Sequence, residues 1–588
     1  MEFHFAREKC VAALITTAVV FAAGLVFAQS SGFEAADIHP SPASNDMNNQ
    51  FMRGGLYRGG RYELRNATMV DMIRTAWGVD PDKVTGGPAW MEKDRFDIVA
   101  KAPANSSPEA MQAMLKDLLM DRFKLVVHDD VKPLPAYVLT QGKKVQMKQA
   151  DGSEETGCKM QPQPDPPAGS PMVGMVSMNG VVLRLGPNSL IAYSCHSESM
   201  EKFVQELRTM IFVPGYLNGN RVVDETELKG TWNFDIKYSF NMRLPMMQQD
   251  GAADVVTIFN AVDKQLGLKL DLSKVPTPVI QVDSVNEKPT DNLPGVTEKM
   301  PAQPTEFEVA DIKPSDPNPP SGPFGGGCFF CPGGRVNLSR DTMANLISLA
   351  WNMNGPSDAR IVGIPKSLEK VNWDITAKAS TMTPLNVPLN GQAPTQQVDF
   401  DAMRVMLKAL LKDRFKLLLH EEQRDLPGYA LVAVKPKLKK SDAGTRSSCN
   451  EGPGPDGKDP RTTNPAASRL VTCLNMTLAD FAAQLATRAG GYFMQYPGGV
   501  VDETHIDGTY DITINFSVAG MLNAGGGGRG GGDAVAPGSP GAPQVSDPGG
   551  AITLQEAIEK QLGLKMEPRK NKGTVLVVDH VEEKPTDN

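Results

Sequence analysis

The residue pattern with the most direct link to chemistry is a Cys-x-x-Cys pair, Cys328 with Cys331. Such a pair can form a local disulfide, act as a redox couple or supply half of a zinc site. Glycine and proline flank it in the stretch 325–334, which favours a loop over the helix start of a thioredoxin-type couple. A zinc site needs two further ligands, and the sequence has no second Cys-x-x-Cys and no close histidine pair. We expect a local disulfide, with redox and metal roles as alternatives.

An Asp-Arg pair occurs twice, as Asp121 with Arg122 and as Asp413 with Arg414. Each pair follows a stretch with a Met/Leu stripe at helical spacing. An arginine at a helix end can bind the last carbonyl groups and complement the helix dipole. We interpret both pairs as structural caps, with a binding or catalytic role as the alternative.

Histidines and adjacent carboxylates also recur. His128 and His420 follow the Asp-Arg pairs, each in a predicted strand, and are more typical of hydrogen-bonded surface groups than of ligands. Asp224-Glu225 and Asp502-Glu503 are neighbours in sequence, and neighbours on a strand point to opposite faces. They therefore cannot easily share one substrate atom, and a turn or N-cap role is expected.

Composition and missing motifs exclude other classes of function. The net charge of −8 disfavours binding to nucleic-acid phosphates. Neither Gly-x-Ser-x-Gly nor His-Glu-x-x-His occurs, and the glycine run 525–532 lacks the Gly-Lys-Ser/Thr ending of a phosphate-binding loop. We predict no catalytic residue, no metal ligand and no cofactor.

Residues 1–28 have the pattern of an export signal. Arg7 and Lys9 precede an apolar stretch, and Val26 and Ala28 occupy the −3 and −1 positions of a cleavage site. We expect cleavage after residue 28; the alternative is a retained anchor. Both place the rest of the chain outside the cytoplasm, in the periplasm or secreted, and no later segment approaches transmembrane length.

The chain is a tandem duplication. We assign a first copy to residues 33–292, a linker to 293–306 and a second copy to 307–588. The copies share these blocks in the same order: Phe-Glu-x-Ala-Asp-Ile-x-Pro-Ser (33–41, 307–315), an ungapped stretch (111–130, 403–422) that contains Asp-Arg-Phe-Lys-Leu and its histidine (121–128, 413–420), Val-Val-Asp-Glu-Thr (222–226, 500–504), Lys-Gln-Leu-Gly-Leu-Lys (264–269, 560–565) and Lys-Pro-Thr-Asp-Asn (288–292, 584–588).

The cysteines support export and one disulfide in each copy. Of seven, Cys10 lies within the signal, which leaves six in the mature chain. The copies align Cys195 with Cys473, and another cysteine lies in the polar loop before each. We predict the pairs Cys158–Cys195 and Cys449–Cys473, each worth about 3 kcal/mol by restricting the unfolded chain.

The predicted fold class is α+β, with two helix-on-small-mixed-sheet units in each copy. Helices starting at Thr68, Ser199, Thr342 and Thr477 are each followed by short strands, a second helix and more strand. Flexible Gly/Pro-rich loops are expected at 161–171, 451–465 and 524–550. One larger irregular domain per copy is the alternative.

These motifs together resemble a soil-bacterium-associated family of exported proteins of unknown function. The resemblance covers nearly all of the mature chain, twice, and implies no catalytic residues. The first copy departs from the pattern at Trp232-Asn233 and at Ser284. The stretches 199–283 and 477–579 are also similar in order and spacing to the short N-terminal domain of secretins and TonB-dependent transducers, which implies a periplasmic interaction module.

Two hypotheses for function follow. The first is a non-catalytic binding protein of the cell envelope, which holds a protein, a peptide or an envelope polymer. The second is a secreted enzyme, either a thiol-redox enzyme using Cys328 and Cys331 or a hydrolase of unrecognised type. The duplicated body with unequal polar motifs favours the first, because a binding surface tolerates divergence that a catalytic site would not.

Overall fold

The structure is a computed structural model of the 588-residue chain. It describes residues 32–42, 51–58, 60–104, 106–152, 155–162, 174–178, 181–185, 190–211, 213–217, 220–239, 256–316, 330–353, 360–384, 397–442, 446–452, 469–493, 496–517 and 552–586. The predicted signal (1–28) lies outside these residues, as do most of 161–171, most of 451–465 and all of 524–550.

The first copy alternates short strands with short helices. Its elements are β1 (Ala35–Pro40), β2 (Arg53–Arg58), β3 (Arg61–Thr68), α1 (Met69–Trp77), β4 (Val84–Gly86), β5 (Arg95–Lys101), α2 (Pro108–Arg122), β6 (Val126–Gln141), β7 (Lys148–Gln149), β8 (Gly157–Met160), β9 (Gly174–Met178), β10 (Val181–Leu185), β11 (Leu190–Glu198), α3 (Met200–Leu207), α4 (Val213–Leu217), β12 (Arg221–Asp224), β13 (Trp232–Ser239), α5 (Ile258–Ala261) and β14 (Leu268–Ser284).

The second copy largely repeats this order. Its elements are β15 (Val309–Pro314), β16 (Phe330–Cys331), β17 (Arg335–Thr342), α6 (Met343–Ala350), β18 (Ile361–Val362), β19 (Asn372–Lys378), β20 (Thr381–Pro384), β21 (Gln397–Val398), α7 (Phe400–Arg414), β22 (Leu418–Ala433), β23 (Lys439–Lys440), β24 (Ser448–Glu451), β25 (Arg469–Met476), α8 (Leu478–Arg488), α9 (Gly490–Phe493), β26 (Val500–Asp502), β27 (Tyr510–Phe516), α10 (Leu554–Ala557) and β28 (Leu564–His580). β20 and β21 are added in this copy, and β9 and β10 have no counterpart among its described residues.

The first helix of each unit starts where the sequence predicts. Thr68, Ser199, Thr342 and Thr477 are N-caps whose hydroxyl accepts a backbone N–H of the first turn. The predicted apolar stripes are buried in all four helices, and each large buried side chain contributes about 1.5–3 kcal/mol. They are Met69, Met72, Ile73 and Ala76; Met200, Phe203, Val204 and Leu207; Met343, Leu346, Ile347 and Ala350; Leu478, Phe481, Ala482 and Leu485.

Each unit packs its helices on an antiparallel sheet. The strand orders are β1-β5-β3-β2 and β7-β13-β11-β8 in the first copy, and β15-β19-β17-β16 and β23-β27-β25-β24 in the second. Four separate hydrophobic cores follow this division, two in each copy. The predicted α+β fold class, with two units in each copy, is confirmed.

A long two-stranded ribbon joins the two units of each copy. In the first copy β6 pairs with β14 along their whole length, and one end of the ribbon enters each core. β12 adds in parallel to β6, and β4 adds in parallel to β14. β22 and β28 form the same ribbon in the second copy. The sequence analysis predicts short strands here. The structure extends them through prolines such as Pro133 and Pro276, although proline is normally excluded from strand interiors.

The two copies contact one another through charged side chains. β2 pairs with β20 across the copies at two positions. Arg53 lies 2.7 Å from Asp401, and Arg65 lies 3.1 Å from the same carboxylate. A second contact pairs Arg446 with Glu92. The polar character of these contacts is typical of an interface that can open.

The predicted linker runs along the first copy. The side chain of Val296 is buried, and the carbonyl of Pro301 accepts a hydrogen bond from Arg61. In the described part of the chain, no helix combines the length and apolar character needed to cross a membrane.

Candidate functional site

A strained backbone position recurs two residues before each of the four N-caps. These residues have positive φ angles, and the strand carries a β-bulge at each. In every case a side-chain oxygen from the adjacent strand accepts the N–H of the strained residue. The pairs are Asn66 with Asp97 (2.7 Å), Ser197 with Asn233 (2.7 Å), Arg340 with Asp374 (2.9 Å) and Asn475 with Asp511 (3.2 Å).

The serine of the repeated Asp-Ile-x-Pro-Ser motif binds the same acceptor. Ser41 donates to Asp97 at 2.6 Å, and Ser315 donates to Asp374 at 2.6 Å. The first copy has Asn233 where the repeated pattern has an aspartate. Its amide oxygen accepts the N–H of the bulge as a carboxylate does. These carboxylates therefore hold the bulge that starts a helix, a role that sequence patterns did not reveal.

Arg122 connects three of the repeated motifs. Its guanidinium is buried and donates to the hydroxyl of Thr290 at 2.9 Å and to the side-chain oxygen of Asn292 at 2.7 Å. The Asn292 amide nitrogen donates in turn to Asp37 at 2.6 Å and to the carbonyl of Ile38 at 2.9 Å. We call these contacts the clasp. It ties the last motif of the copy to its first strand.

The expectation that Arg122 caps its own helix is wrong. The carbonyl of Leu119 accepts the N–H groups of Phe123 and Leu125, because Lys124 adopts φ 50° and turns the chain back. The guanidinium is thus free to reach the Lys-Pro-Thr-Asp-Asn segment. Its neighbour Asp121 is exposed and pairs with Lys124.

The second copy repeats the visible part of the clasp. Arg414 donates to the carbonyl of Thr586 at 3.4 Å, and the Thr586 N–H returns to the carbonyl of Arg414 at 2.8 Å. Asp413 is exposed, like Asp121. The asparagine that corresponds to Asn292 lies outside the described residues.

Each ribbon carries an exposed His–Asp pair. Nδ1 of His128 lies 2.8 Å from Asp283, and Nδ1 of His420 lies 3.0 Å from Asp579. In the part of the chain that the structure describes, no hydroxyl or thiol lies within hydrogen-bond distance of either imidazole. The geometry therefore matches a cross-strand surface pair and lacks the nucleophile of a Ser–His–Asp or Cys–His arrangement.

The adjacent carboxylates of the Val-Val-Asp-Glu-Thr motif do different things. Asp224 accepts the N–H of Thr226 at 2.9 Å, and Asp502 accepts that of Thr504 at 2.9 Å, so each aspartate closes a turn. Glu225, like its counterpart in the second copy, is exposed at the strand end.

One buried carboxylate lies outside the repeated motifs, immediately before the N-cap Ser199. Glu198 has no exposed surface, and burial together with repulsion from Glu206 raises its pKa to about 7. These two carboxylates and Sγ of Cys158 lie within 4.8 Å of one another. Cys158 is in a disulfide, however, and the ammonium of Lys202 lies 3.4 Å from Glu198 and 3.3 Å from Glu206. The lysine already supplies the positive charge, which argues against a metal site.

The two predicted disulfides are present. Cys158 is bonded to Cys195 and Cys449 to Cys473, each across two paired strands. The third predicted pair cannot be placed in the same way: Cys328 lies outside the described residues.

An open groove lies on the solvent face of the ribbon sheet in the first copy. Its volume is about 430 Å³, and its walls include Val138 and Thr140 of β6, Asp271 and Ser273 of β14, and Glu225 after β12. Val138 and Asp271 are directly opposite in the register, so their side chains share this face. No sequence motif marked the groove. A comparison of the two copies could have found it, because Ser273 in the groove wall aligns with Arg569 of the second copy.

The fold and its contacts define a tandem α+β scaffold whose repeated motifs stabilise each copy. One family model, described as a protein of unknown function (DUF3738), matches residues 70–285 and again residues 344–581. The chain belongs to this family and contains its domain twice. No curated protein and no solved structure matches the chain significantly.

Proposed function

We propose that this protein is an exported, non-catalytic binding protein of the cell envelope, which holds a protein, a peptide or an envelope polymer. The export pattern of residues 1–28 supports the location, as do the two disulfides, which form and persist in oxidising compartments.

One observation carries the proposal: the polar side chains of the repeated motifs bind their own backbone. Asp97 and its equivalents hold the bulges, Arg122 and Asn292 form the clasp, and Asp224 closes a turn. A catalytic site would instead require such groups to converge on an open space that a substrate can enter. The repeated motifs thus stabilise a scaffold, and the surfaces where the copies differ are available for recognition.

The resemblance to short N-terminal domains of secretins and transducers supports an interaction role in the periplasm, on the grounds of fold alone. Two copies in one chain also allow two contacts with the same partner. Linked contacts strengthen binding by raising the effective concentration of the second one.

The test is crosslinking of the full chain in its native envelope, followed by identification of the crosslinked material. We expect one partner, with an amount of adduct that saturates as the protein level rises. A reductase activity towards insulin disulfides that disappears in the Cys328→Ser/Cys331→Ser variant would instead establish the thiol-redox alternative.

A further inference from the structure

The groove of the first copy presents two carboxylates that lack a cationic partner. Glu225 and Asp271 are both exposed on its wall. Among the described residues, no lysine or arginine lies within 4 Å of either carboxylate; Lys274 also lines the groove but pairs with neither. Acidic side chains are common on surfaces, and the pair alone does not define a site.

The equivalent carboxylates of the second copy bind basic side chains. Its equivalent residues are Glu503 and Glu567, at the same places in the Val-Val-Asp-Glu-Thr and Gly-Leu-Lys motifs. Arg569 lies between them, with Nε 3.3 Å from Glu503 and Nη2 3.0 Å from Glu567. One guanidinium thus bridges the two acids across the same sheet face, and the ammonium of Lys565 also lies 3.3 Å from Glu567.

The residue that supplies the guanidinium in the second copy is replaced in the first. Ser273 takes the position of Arg569, and the pairing register agrees, because Ser273 lies opposite Ala136 and Arg569 opposite Gly428. Replacing arginine by serine removes the guanidinium, keeps both carboxylates and leaves open space above Val138.

We propose that the groove of the first copy binds an arginine side chain of a partner polypeptide, which takes the place that Arg569 fills in the second copy. This inference rests on the proposed function and gives it a site and a ligand chemistry. A planar guanidinium can donate to two carboxylates at once, whereas an ammonium is a more strongly hydrated point charge, so arginine should be preferred over lysine. Because the carboxylates are exposed, a single arginine binds weakly and needs neighbouring contacts for affinity.

The test is a titration of the full chain with an acetylated and amidated Gly-Arg-Gly tripeptide, followed by methyl NMR. Val138 reports on the first copy, and Ala430, at the equivalent position of β22, reports on the second. We expect a saturable shift at Val138 and none at Ala430. The same peptide with citrulline in place of arginine should occupy the groove at least tenfold less at equal concentration, as measured by the shift at Val138.

Matched variants test each side of the argument. Ser273→Arg should abolish the response at Val138 by filling the groove, and Glu225→Gln/Asp271→Asn should abolish it by removing the acceptors. Arg569→Ser should create a second response at Ala430. A response that survives Glu225→Gln/Asp271→Asn, or equal responses to arginine and citrulline, would overturn the proposal, as would the absence of any shift at Val138.

The groove proposal and the proposed function can fail independently of one another. If envelope crosslinking identifies a partner that binds Ser273→Arg as well as the unmodified chain, the groove proposal fails and the binding function stands. If the groove binds the arginine peptide while no partner is crosslinked, the site stands and the function fails.

Discussion

At the residue scale, the same backbone problem is solved four times with a side-chain oxygen. A residue in the left-handed region precedes each helix, and its N–H would lack a partner in the bulged strand. Asp97, Asp374 and Asp511 bind it with a carboxylate, whereas Asn233 binds it with an amide. What this position requires is an acceptor, with or without charge.

Asp97 allows this requirement to be tested. We expect Asp97→Ala to lower the free energy of unfolding by about 1–3 kcal/mol, because the N–H of Asn66, which is buried, loses its acceptor. Asp97→Asn should lower the free energy of unfolding clearly less, because an amide oxygen can accept this N–H, as that of Asn233 does. The measurement is urea unfolding followed by the fluorescence of Trp77 and Trp90, which lie in the same unit. Equal losses in the two variants would show that the charge itself is needed.

Glu198 gives the protein a predicted pH dependence. Its folded pKa of about 7 exceeds the ordinary value of 4.5, so the native carboxyl keeps a proton that the unfolded chain releases. The free energy of unfolding therefore falls as the pH rises from about 4.5 to 7, by about 3 kcal/mol in total. We expect Glu198→Gln to stabilise the protein at pH 8 and to leave it nearly unchanged at pH 4.5.

Thermal unfolding midpoints measured from pH 4.5 to 8 check this prediction. Glu201→Gln is the matched control, because Glu201 is exposed on the first turn of the same helix. If Glu198→Gln retained the same slope as the unmodified chain and the control, the pH dependence would come from other groups.

At the element scale, the clasp links the end of the first copy to its beginning. Arg122 and Thr290 are 168 residues apart in sequence, and Asn292 is 254 residues from Ile38. Such contacts join segments that are far apart in sequence, as the pairing of the two ribbon strands also does. The repeated Lys-Pro-Thr-Asp-Asn segment is therefore part of the folded domain and not a spacer.

We expect Arg122→Ala to release this segment. The variant leaves the acceptors of Thr290 and Asn292 without their buried donor and should cost about 2–4 kcal/mol. Amide hydrogen exchange of residues 286–292 should accelerate at least tenfold. The exchange rate in Arg122→Lys should lie between those of the unmodified chain and Arg122→Ala, because an ammonium cannot reproduce the fork of donors. Unchanged protection of 286–292 in Arg122→Ala would refute the clasp.

Local signals predicted much of this architecture, and long-range contacts escaped them. The N-caps at Thr68 and Ser199 and both disulfides followed from local patterns and the alignment of the copies. The ribbon did not, because its four central prolines read as strand breakers and only the pairing of β6 with β14 shows that the strands continue. The role of Arg122 depends on a partner far away in sequence, and no periodicity reports such a contact.

At the scale of the whole molecule, charge holds the two copies together. Arg53 and Arg65 of the first copy bind Asp401 of the second, and these guanidinium groups lower the pKa of that carboxyl even though burial alone would raise it. The depressed pKa adds stability above about pH 4 that is lost on acidification. The relative placement of the copies should therefore respond to charge.

We expect Arg53→Glu/Arg446→Glu, which reverses the charge at both contacts between the copies, to separate the copies while each copy stays folded. The radius of gyration from small-angle X-ray scattering should increase, with far-ultraviolet circular dichroism unchanged. Arg424→Glu is the control, since Arg424 is exposed and pairs with Glu422 on its own strand. An unchanged radius in the double variant would mean that other contacts fix the arrangement.

The central claim is that the repeated motifs build the scaffold and that recognition occurs where the copies differ. A photo-crosslinking residue at position 140 in the groove wall, or at the equivalent position 432, tests it most directly in the native envelope. The account predicts a discrete adduct from position 140 that disappears in Glu225→Gln/Asp271→Asn, and little or none from position 432. Equal adducts from both positions, or an adduct at 140 indifferent to the two carboxylates, would contradict it.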